Sequence, residues 1–249
     1  MSNEKFSQSD INSIFNRGTQ SHPSDARSAD TLVYGTSNSE VASFETSKVL
    51  KNTYMLLGCT LAFSALIAYV AMQMNAPHPG IIITLVGFYG LLFAIEKTKN
   101  SAMGLLFTFA LTGFMGYTLG PILAMFAGAN AMHLVTNALG LTAFVFFGLS
   151  AYALVTRKDF SFLAGFITIG VFVLLGAMLI GFFVHIPALQ LAISAGFVLF
   201  SSAVILFQTS AIIHGGETNY ISATVSLFVS IYNLFLSLLQ LLSAFSGEE

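Results

Sequence analysis

From residue 53 onward, long apolar stretches alternate with short polar loops. An α-helix rises about 1.5 Å per residue, so about 20 apolar residues span the roughly 30 Å hydrocarbon core of a bilayer. This pattern predicts an all-α membrane protein whose consecutive helices pack as antiparallel neighbours. The predicted spans, of which the second is short, are Thr53–Met74, Gly80–Ile95, Ala102–Ala127, Ala131–Val155, Phe162–Val184, Pro187–Phe207 and Tyr220–Phe245.

The composition supports a membrane protein and excludes several other classes. Apolar residues make up 55% of the 249-residue chain and charged residues 8%, whereas a soluble domain carries roughly 25% charged residues. No Asp, Glu, Lys or Arg occurs between Asn100 and Thr156. A soluble enzyme and a nucleic-acid-binding protein with a basic surface are therefore excluded. Cys59 is the only cysteine, which excludes an internal disulfide.

The chain before the first span differs in character from the rest. Residues 1–47 are polar and rich in Ser, Asn and Asp, with few large apolar side chains, and such a composition predicts a disordered tail. No apolar stretch follows a basic N-terminus, so no signal peptide is predicted. We expect a tail over residues 1–47, a transmembrane domain over residues 48–245 and a short C-terminal tail over residues 246–249.

The basic residues of the loops predict the orientation. If every segment crosses, one side of the membrane carries all six loop and flanking cations, and the opposite loops, residues 75–79, 128–130 and 185–186, carry none. The positive-inside rule then places the N-terminus in the cytoplasm of a bacterial inner-membrane protein. A full seventh crossing puts the C-terminus outside, whereas a re-entrant segment returns it inside. The six cations are Lys48, Lys51, Lys97, Lys99, Arg157 and Lys158.

Groups that carry chemistry are scarce inside the spans. No ionisable side chain lies near the centre of any span, which disfavours an ion-coupled transporter. We find no nucleophile–base pair, phosphate-binding loop or metal-binding pattern, so we expect no catalysis, no cofactor and no metal. His214 and Glu217 flank Gly215 and Gly216, and we interpret this loop as a tight turn that ends the sixth helix, because two ligands do not make a metal site.

The last span carries a polar stripe. Its members recur at spacings of three and four residues, which places them on one face of a helix. Two interpretations stay open: the stripe forms the wall of a polar cavity or ion route, or it packs against neighbouring helices through small and hydroxylated side chains. The stripe consists of Asn219, Ser222, Ser226, Ser230, Asn233, Ser237 and Gln240.

Four segments carry a resemblance to a known family. Gly113–Leu123 reads GFMGYTLGPIL, and Ala138–Ala143 reads ALGLTA. Leu206–Tyr220 reads LFQTSAIIHGGETNY, and Leu227–Phe235 reads LFVSIYNLF. Together they resemble the signature of the transmembrane Bax inhibitor motif family, and the likeness extends over about residues 44–245. The motif positions are Gly113, Gly116, Gly120, Pro121, Thr142, Gly215, Gly216 and Glu217.

The resemblance implies a seven-helix bundle with the last helix at its centre. Several family members conduct calcium through a pH-gated leak, which a pair of aspartates on the last two helices closes. The matching positions here are Gln208 and Ser230, and neither can supply the coupled titration of a carboxylate pair. This departure argues against pH gating and leaves a cation leak as the alternative function. Ser226 and Asn233 are the further candidate pore positions.

The resemblance is closest to a bacterial branch that modulates a membrane-bound AAA protease. It implies a regulatory protein of the inner membrane, without catalysis, whose partners are the lipid bilayer and the protease complex rather than nucleic acid. We expect it to bind the protease as a slow substrate or competitor. In this hypothesis the polar tail engages the protease, and the helix bundle resists extraction.

Overall fold

The computed structural model describes the backbone of residues 23–184 and 186–247, and side chains from Thr46 onward except that of residue 182. Every regular element within these ranges is an α-helix, which confirms the predicted fold class. Each helix contains a stretch that is long and apolar enough to cross a membrane. The helices are α1 (Pro23–Gln73), α2 (Ile81–Thr98), α3 (Ala102–Gly128), α4 (Met132–Thr156), α5 (Leu163–Phe183), α6 (Pro187–Ile213) and α7 (Tyr220–Ser246).

The chain divides into two units between Glu45 and Thr46, and the second unit is the helix bundle. The part of α1 within this bundle that is apolar enough to span is Thr46–Gln73. Residues 1–22, residue 185 and residues 248–249 lie outside the described residues. The structure differs from the predicted disordered tail in giving residues 23–47 as the first part of α1, and it includes Ser246 in α7. For residues 1–22 and 248–249 the predicted tails stay predictions.

Three loops meet at one end of the bundle, which we call the basic end. The Asn219 side-chain amide donates to the Lys99 carbonyl oxygen at 3.1 Å and to Asn100 Oδ1 at 2.8 Å. His214 Nε2 donates to the Arg157 carbonyl oxygen at 3.1 Å. The α2–α3, α4–α5 and α6–α7 loops are thus in direct contact, as full crossings by the intervening helices require.

Helix α7 is the most buried of the described spans. Half (50%) of its most apolar stretch is buried, against 6% for α2 and for α5. It packs against α3, α4 and α6, and the Thr224 hydroxyl also donates to the Thr53 carbonyl oxygen of α1 at 3.3 Å. Its 27 residues form one continuous helix of about 40 Å, which is long enough for a full crossing and does not fold back as a re-entrant segment would.

Glycines of α3 form a close-packed seam with α1, which we call the glycine seam. A Cβ atom on Gly113 would lie 2.9 Å from a ring carbon of Phe63. A Cβ on Gly116 would overlap the carbonyl oxygen of Ser64, and one on Gly120 would overlap the Cβ of Ala71. The spacing therefore serves close helix approach, which is how membrane helices gain van der Waals contact. Helix α3 continues through Pro121 at the end of this seam.

The glycine seam makes a testable prediction. We expect Gly116→Ala to lower the free energy of unfolding by about 1–3 kcal/mol, because the added methyl group overpacks the contact with Ser64. Reversible unfolding in mixed micelles measures the change. The matched control is Gly140→Ala in α4, where a Cβ meets no atom within 4 Å. An equal effect of both substitutions would show that the seam is not tightly packed.

Candidate functional site

A cavity of about 700 Å³ lies beside α7, and we call it the serine cleft. Helix α2 forms one wall, with Ile167 of α5 and Phe200 of α6 also contributing. The α2 wall reaches the outer surface of the bundle, since Tyr89 is 57% and Phe93 63% exposed. The walls are thus mostly apolar, whereas the floor is polar and consists of Ser201, Ser222, Ser226, Ser230 and Asn233.

The serine cleft extends from the basic end into the membrane. Glu96, in the last turn of α2, and Ser222, in the first turn of α7, line its shallow part. Asn233 lies eleven residues beyond Ser222, or about 16 Å along the helix. This distance is about half the thickness of a bilayer core, so the polar floor extends to the middle of the spanning region.

Two buried hydroxyl groups that line the cleft lack a hydrogen-bond partner. The Oγ atoms of Ser201 and Ser222 are buried and unpaired within the described part of the chain. Two further buried hydroxyls, those of Thr53 and Ser150, are also unpaired but do not line the cleft. An unpaired hydroxyl in apolar surroundings costs about 1–3 kcal/mol. The cleft therefore concentrates groups that gain from a polar ligand, water or partner.

The polar stripe on α7 has different environments along its length. Ser222, Ser226, Ser230 and Asn233 line the serine cleft. Towards the opposite end, Gln240 Oε1 accepts a 2.7 Å hydrogen bond from the Ser194 hydroxyl of α6, and Gln240 also lines another cavity of about 500 Å³.

The structure brings together three of the four candidate pore positions. Ser226, Ser230 and Asn233 line the cleft, whereas Gln208 is buried in α6 and is not among the lining residues. The Ser230 hydroxyl donates to the Ser226 carbonyl oxygen at 2.8 Å. Among the described residues, Gln208 and Ser230 share no hydrogen bond, so the geometry does not reproduce a closed pair across the two helices.

A second cavity of about 280 Å³ is almost entirely apolar. It lies between α1, α3, α4 and α7, and the motif residue Thr142 is on its wall. The Thr142 hydroxyl donates to the Ala138 carbonyl oxygen at 2.7 Å, so it presents no free polar group. Near this cavity, Thr118 and Tyr232 hydrogen-bond at 2.8 Å and join α3 to α7.

The remaining motif residues order the α6–α7 loop at the basic end. Gly215 has a φ of 73°, in the left-handed region that favours glycine. Glu217 Oε1 accepts a hydrogen bond from the Asn219 backbone N–H at 2.8 Å. Asn219 Oδ1 in turn accepts from the backbone N–H groups of Ile221 and Ser222, which caps α7. These contacts confirm the interpretation of the loop as a turn.

A second set of contacts secures the α4–α5 loop. The Ser210 hydroxyl donates to the Lys158 carbonyl oxygen at 3.2 Å and accepts from the Phe160 N–H at 3.0 Å. The pKa of Asp159 is lowered by hydrogen bonds from Ser161 and, more weakly, by nearby His214. In the neighbouring loop, the pKa of Lys99 is raised, chiefly by its hydrogen bond to Glu96.

Three residues have roles in these sites that the sequence does not reveal. Ser201 lies on the cleft floor, but a single serine in an apolar span gives no signal that it faces a cavity. The role of Asn219 in joining two loops and that of Ser210 in holding a third depend on long-range contacts. Asn is a residue type that commonly caps helices, so the sequence can indicate the capping role of Asn219. It gives no sign of the contact between Asn219 and the α2–α3 loop.

These features define a polytopic α-helical membrane protein with a polar-floored cleft beside its last helix and motif loops at one end. A family model described as "Inhibitor of apoptosis-promoting Bax1" matches residues 46–247. The chain belongs to this Bax inhibitor family, which confirms the resemblance in the sequence.

Three bacterial relatives are similar over nearly their whole length. An uncharacterized protein of Pseudomonas aeruginosa is 65% identical over 82% of this chain and 93% of its own. The "Modulator of FtsH protease YccA" of Escherichia coli K12 is 53% identical over 87% of this chain and 99% of its own. A second E. coli relative at the same identity is called "Inner membrane protein YccA". With the seven apolar helices, these matches support a multi-pass protein of the inner membrane.

The contacts of Asn219 generate a second prediction. We expect Asn219→Ala to lower the free energy of unfolding by at least ~1 kcal/mol, because it removes the cap of α7 and the bonds to the α2–α3 loop. Asn219→Ser keeps a capping oxygen but cannot reach the loop, so its loss is smaller. Chemical unfolding of both variants gives the comparison, and a wild-type stability for Asn219→Ala would refute this role.

Proposed function

We propose that this chain modulates an FtsH-type membrane protease by binding it as a slow substrate or competitor. The observation that carries the proposal is its similarity to the E. coli modulator over 99% of that relative's length. The proposal makes the helix bundle the part that resists the protease and the N-terminal segment the part that is gripped.

The N-terminal segment is suited to engage a cytoplasmic unfolding machine. Residues 1–47 precede the first span and are polar, and the positive-inside rule predicts that they are cytoplasmic. Residues 23–45 of this segment are the first part of α1, and at about 1.5 Å per residue they span about 35 Å. A segment of this length ahead of the first span is compatible with entry into the central pore of a ring-shaped protease.

The packing of α1 explains why extraction would be slow. Force applied to the N-terminal segment acts first on α1, which the glycine seam holds against α3. Thr53 is also bound by Thr224 of α7, and the Tyr54 hydroxyl lies 3.4 Å from that of Thr209 of α6. Removing α1 must therefore break contacts with three helices in the first step. A barrier at this step lengthens the time that the protease stays occupied.

A cation leak is the second candidate function, and the serine cleft is the observation that favours it. Ser226, Ser230 and Asn233 provide a polar surface that extends about half-way through the membrane. A leak through this surface would not be switched by Gln208 and Ser230, because neither side chain titrates. We therefore rank it below the regulatory function.

The tail mechanism is tested by deleting residues 1–43. We expect the truncated chain to lose co-purification with FtsH, because the segment that the protease grips is missing, and to insert into the membrane as before. Pull-down from solubilised membranes and membrane fractionation measure the two properties. A chain in which residues 1–43 are scrambled at constant composition is the control for length and polarity. Undiminished co-purification after the deletion would refute the mechanism.

The alternative function is tested by calcium flux into proteoliposomes that contain a calcium-sensitive dye. We expect the purified chain to give the same flux as empty liposomes, because the proposed regulatory function conducts no ions. We expect no difference between pH 6 and pH 7.5, because Gln208 and Ser230 do not titrate. A flux above that background that Ser230→Leu abolishes would make the cation leak the function instead.

A further inference from the structure

We infer that the serine cleft is a docking groove for a transmembrane helix of a partner protein. The contacting face of that helix would carry small residues and present backbone carbonyl oxygens to the cleft floor. This inference rests on the proposed function, in which the partner is the membrane-anchored protease, and it adds a second point of attachment within the bilayer.

Hydrogen-bonding capacity on the cleft floor is the first argument. The buried hydroxyls of Ser201 and Ser222 have no acceptor within the described part of the chain. In the membrane, Ser and Asn side chains commonly form hydrogen bonds across a helix–helix interface. Small residues on the partner helix let its backbone approach these side chains closely. A helix with Gly, Ala or Ser on one face supplies the missing carbonyl acceptors.

The shape of the cleft is the second argument. It lies next to α2, whose Tyr89 and Phe93 side chains are more than half exposed, so it opens sideways toward the bilayer. Its floor runs from Ser222 to Asn233, about 16 Å, which is the length of three helical turns. A helix lying along this floor would make contact at each turn, through Ser222, Ser226, and the pair Ser230 and Asn233.

Lipid and a second copy of this chain fit the cleft less well. An acyl chain has no acceptor and would leave the hydroxyls on the floor unpaired. Among the helices of a second copy, α5 fits the cleft poorly, because most of its lipid-facing side chains are large and apolar and would hold its backbone away from the floor. Those exposed residues include Phe166, Ile169, Phe172, Val173 and Leu179.

Two attachment points would strengthen the association without requiring either to be strong. Once the N-terminal segment is held, a groove in the same molecule meets the protease helix at a high effective concentration. The helix bundle would then stay beside the protease while extraction is stalled at α1. Such an arrangement would make the chain both slow to be degraded and slow to be released by the protease.

Photocrosslinking of the full-length chain in membranes that contain FtsH tests the inference. A benzoylphenylalanine in place of Tyr89, on the cleft wall, should crosslink to a transmembrane segment of FtsH. The same group in place of Phe144, which is 78% exposed on α4, should not. Crosslinks from position 89 only to lipid, or to a second copy of this chain, would overturn the inference.

A substitution that fills the cleft provides a second readout. Ser226→Phe should weaken both the crosslink from position 89 and co-purification by about tenfold, the effect of ~1.4 kcal/mol. Thr136→Phe is the matched control, because Thr136 is an exposed hydroxylated residue of α4. Thermal unfolding verifies that both variants fold. The crosslink from position 89 is also measured in a chain that keeps Ser226, so that test does not depend on the folding of the Ser226→Phe variant.

The two proposals fail in different ways. If deletion of residues 1–43 abolishes association but Ser226→Phe leaves both readouts unchanged, the docking groove is refuted and the tail mechanism stands. If the truncated chain co-purifies with FtsH undiminished and still crosslinks from position 89, the groove stands and the tail mechanism is refuted.

Discussion

The hydrocarbon core of the bilayer is the constraint on which this structure depends. Because it offers almost no water, polar groups must find partners inside the protein. Many hydroxyls in the bundle meet this demand within their own helix, as Thr108 does by donating to the Gly104 carbonyl oxygen at 2.8 Å. Four buried hydroxyls of the described residues are exceptions, and two of them, those of Ser201 and Ser222, line the serine cleft. The serine cleft is therefore a place where the demand for partners is not fully met.

Close packing and an open cleft occur on different sides of the bundle. On one side, glycines bring α3 against α1 with no room for a single methyl group. On the other side, α2 and α5 are little buried and leave part of α7 accessible. This division suits the function that we propose, because the tight side would resist unfolding while the open side remains free to bind. Neither property requires an ionisable group within the spans.

The family motif positions divide into packing and loop roles. Gly113, Gly116 and Gly120 determine how closely α1 and α3 approach. Gly215 and Glu217 shape the turn from which Asn219 reaches the α2–α3 loop. A motif can therefore identify the fold without marking a reactive site. The polar side chains of Ser226, Ser230 and Asn233 lie instead on the cleft floor, and none of them is a motif position.

The sequence by itself determined the helices and their alternating direction, because hydropathy and span length are local properties. It also placed the polar residues of α7 on one face, since helical periodicity fixes that arrangement. Only the tertiary structure decided what this face meets: Ser226, Ser230 and Asn233 line a cleft, whereas Gln240 bonds to Ser194. The separation of Gln208 from the cleft and the inclusion of Ser201 also depend on packing. Periodicity gives a residue its direction around its own helix axis, but the neighbouring helix is selected by contacts between residues far apart in the chain.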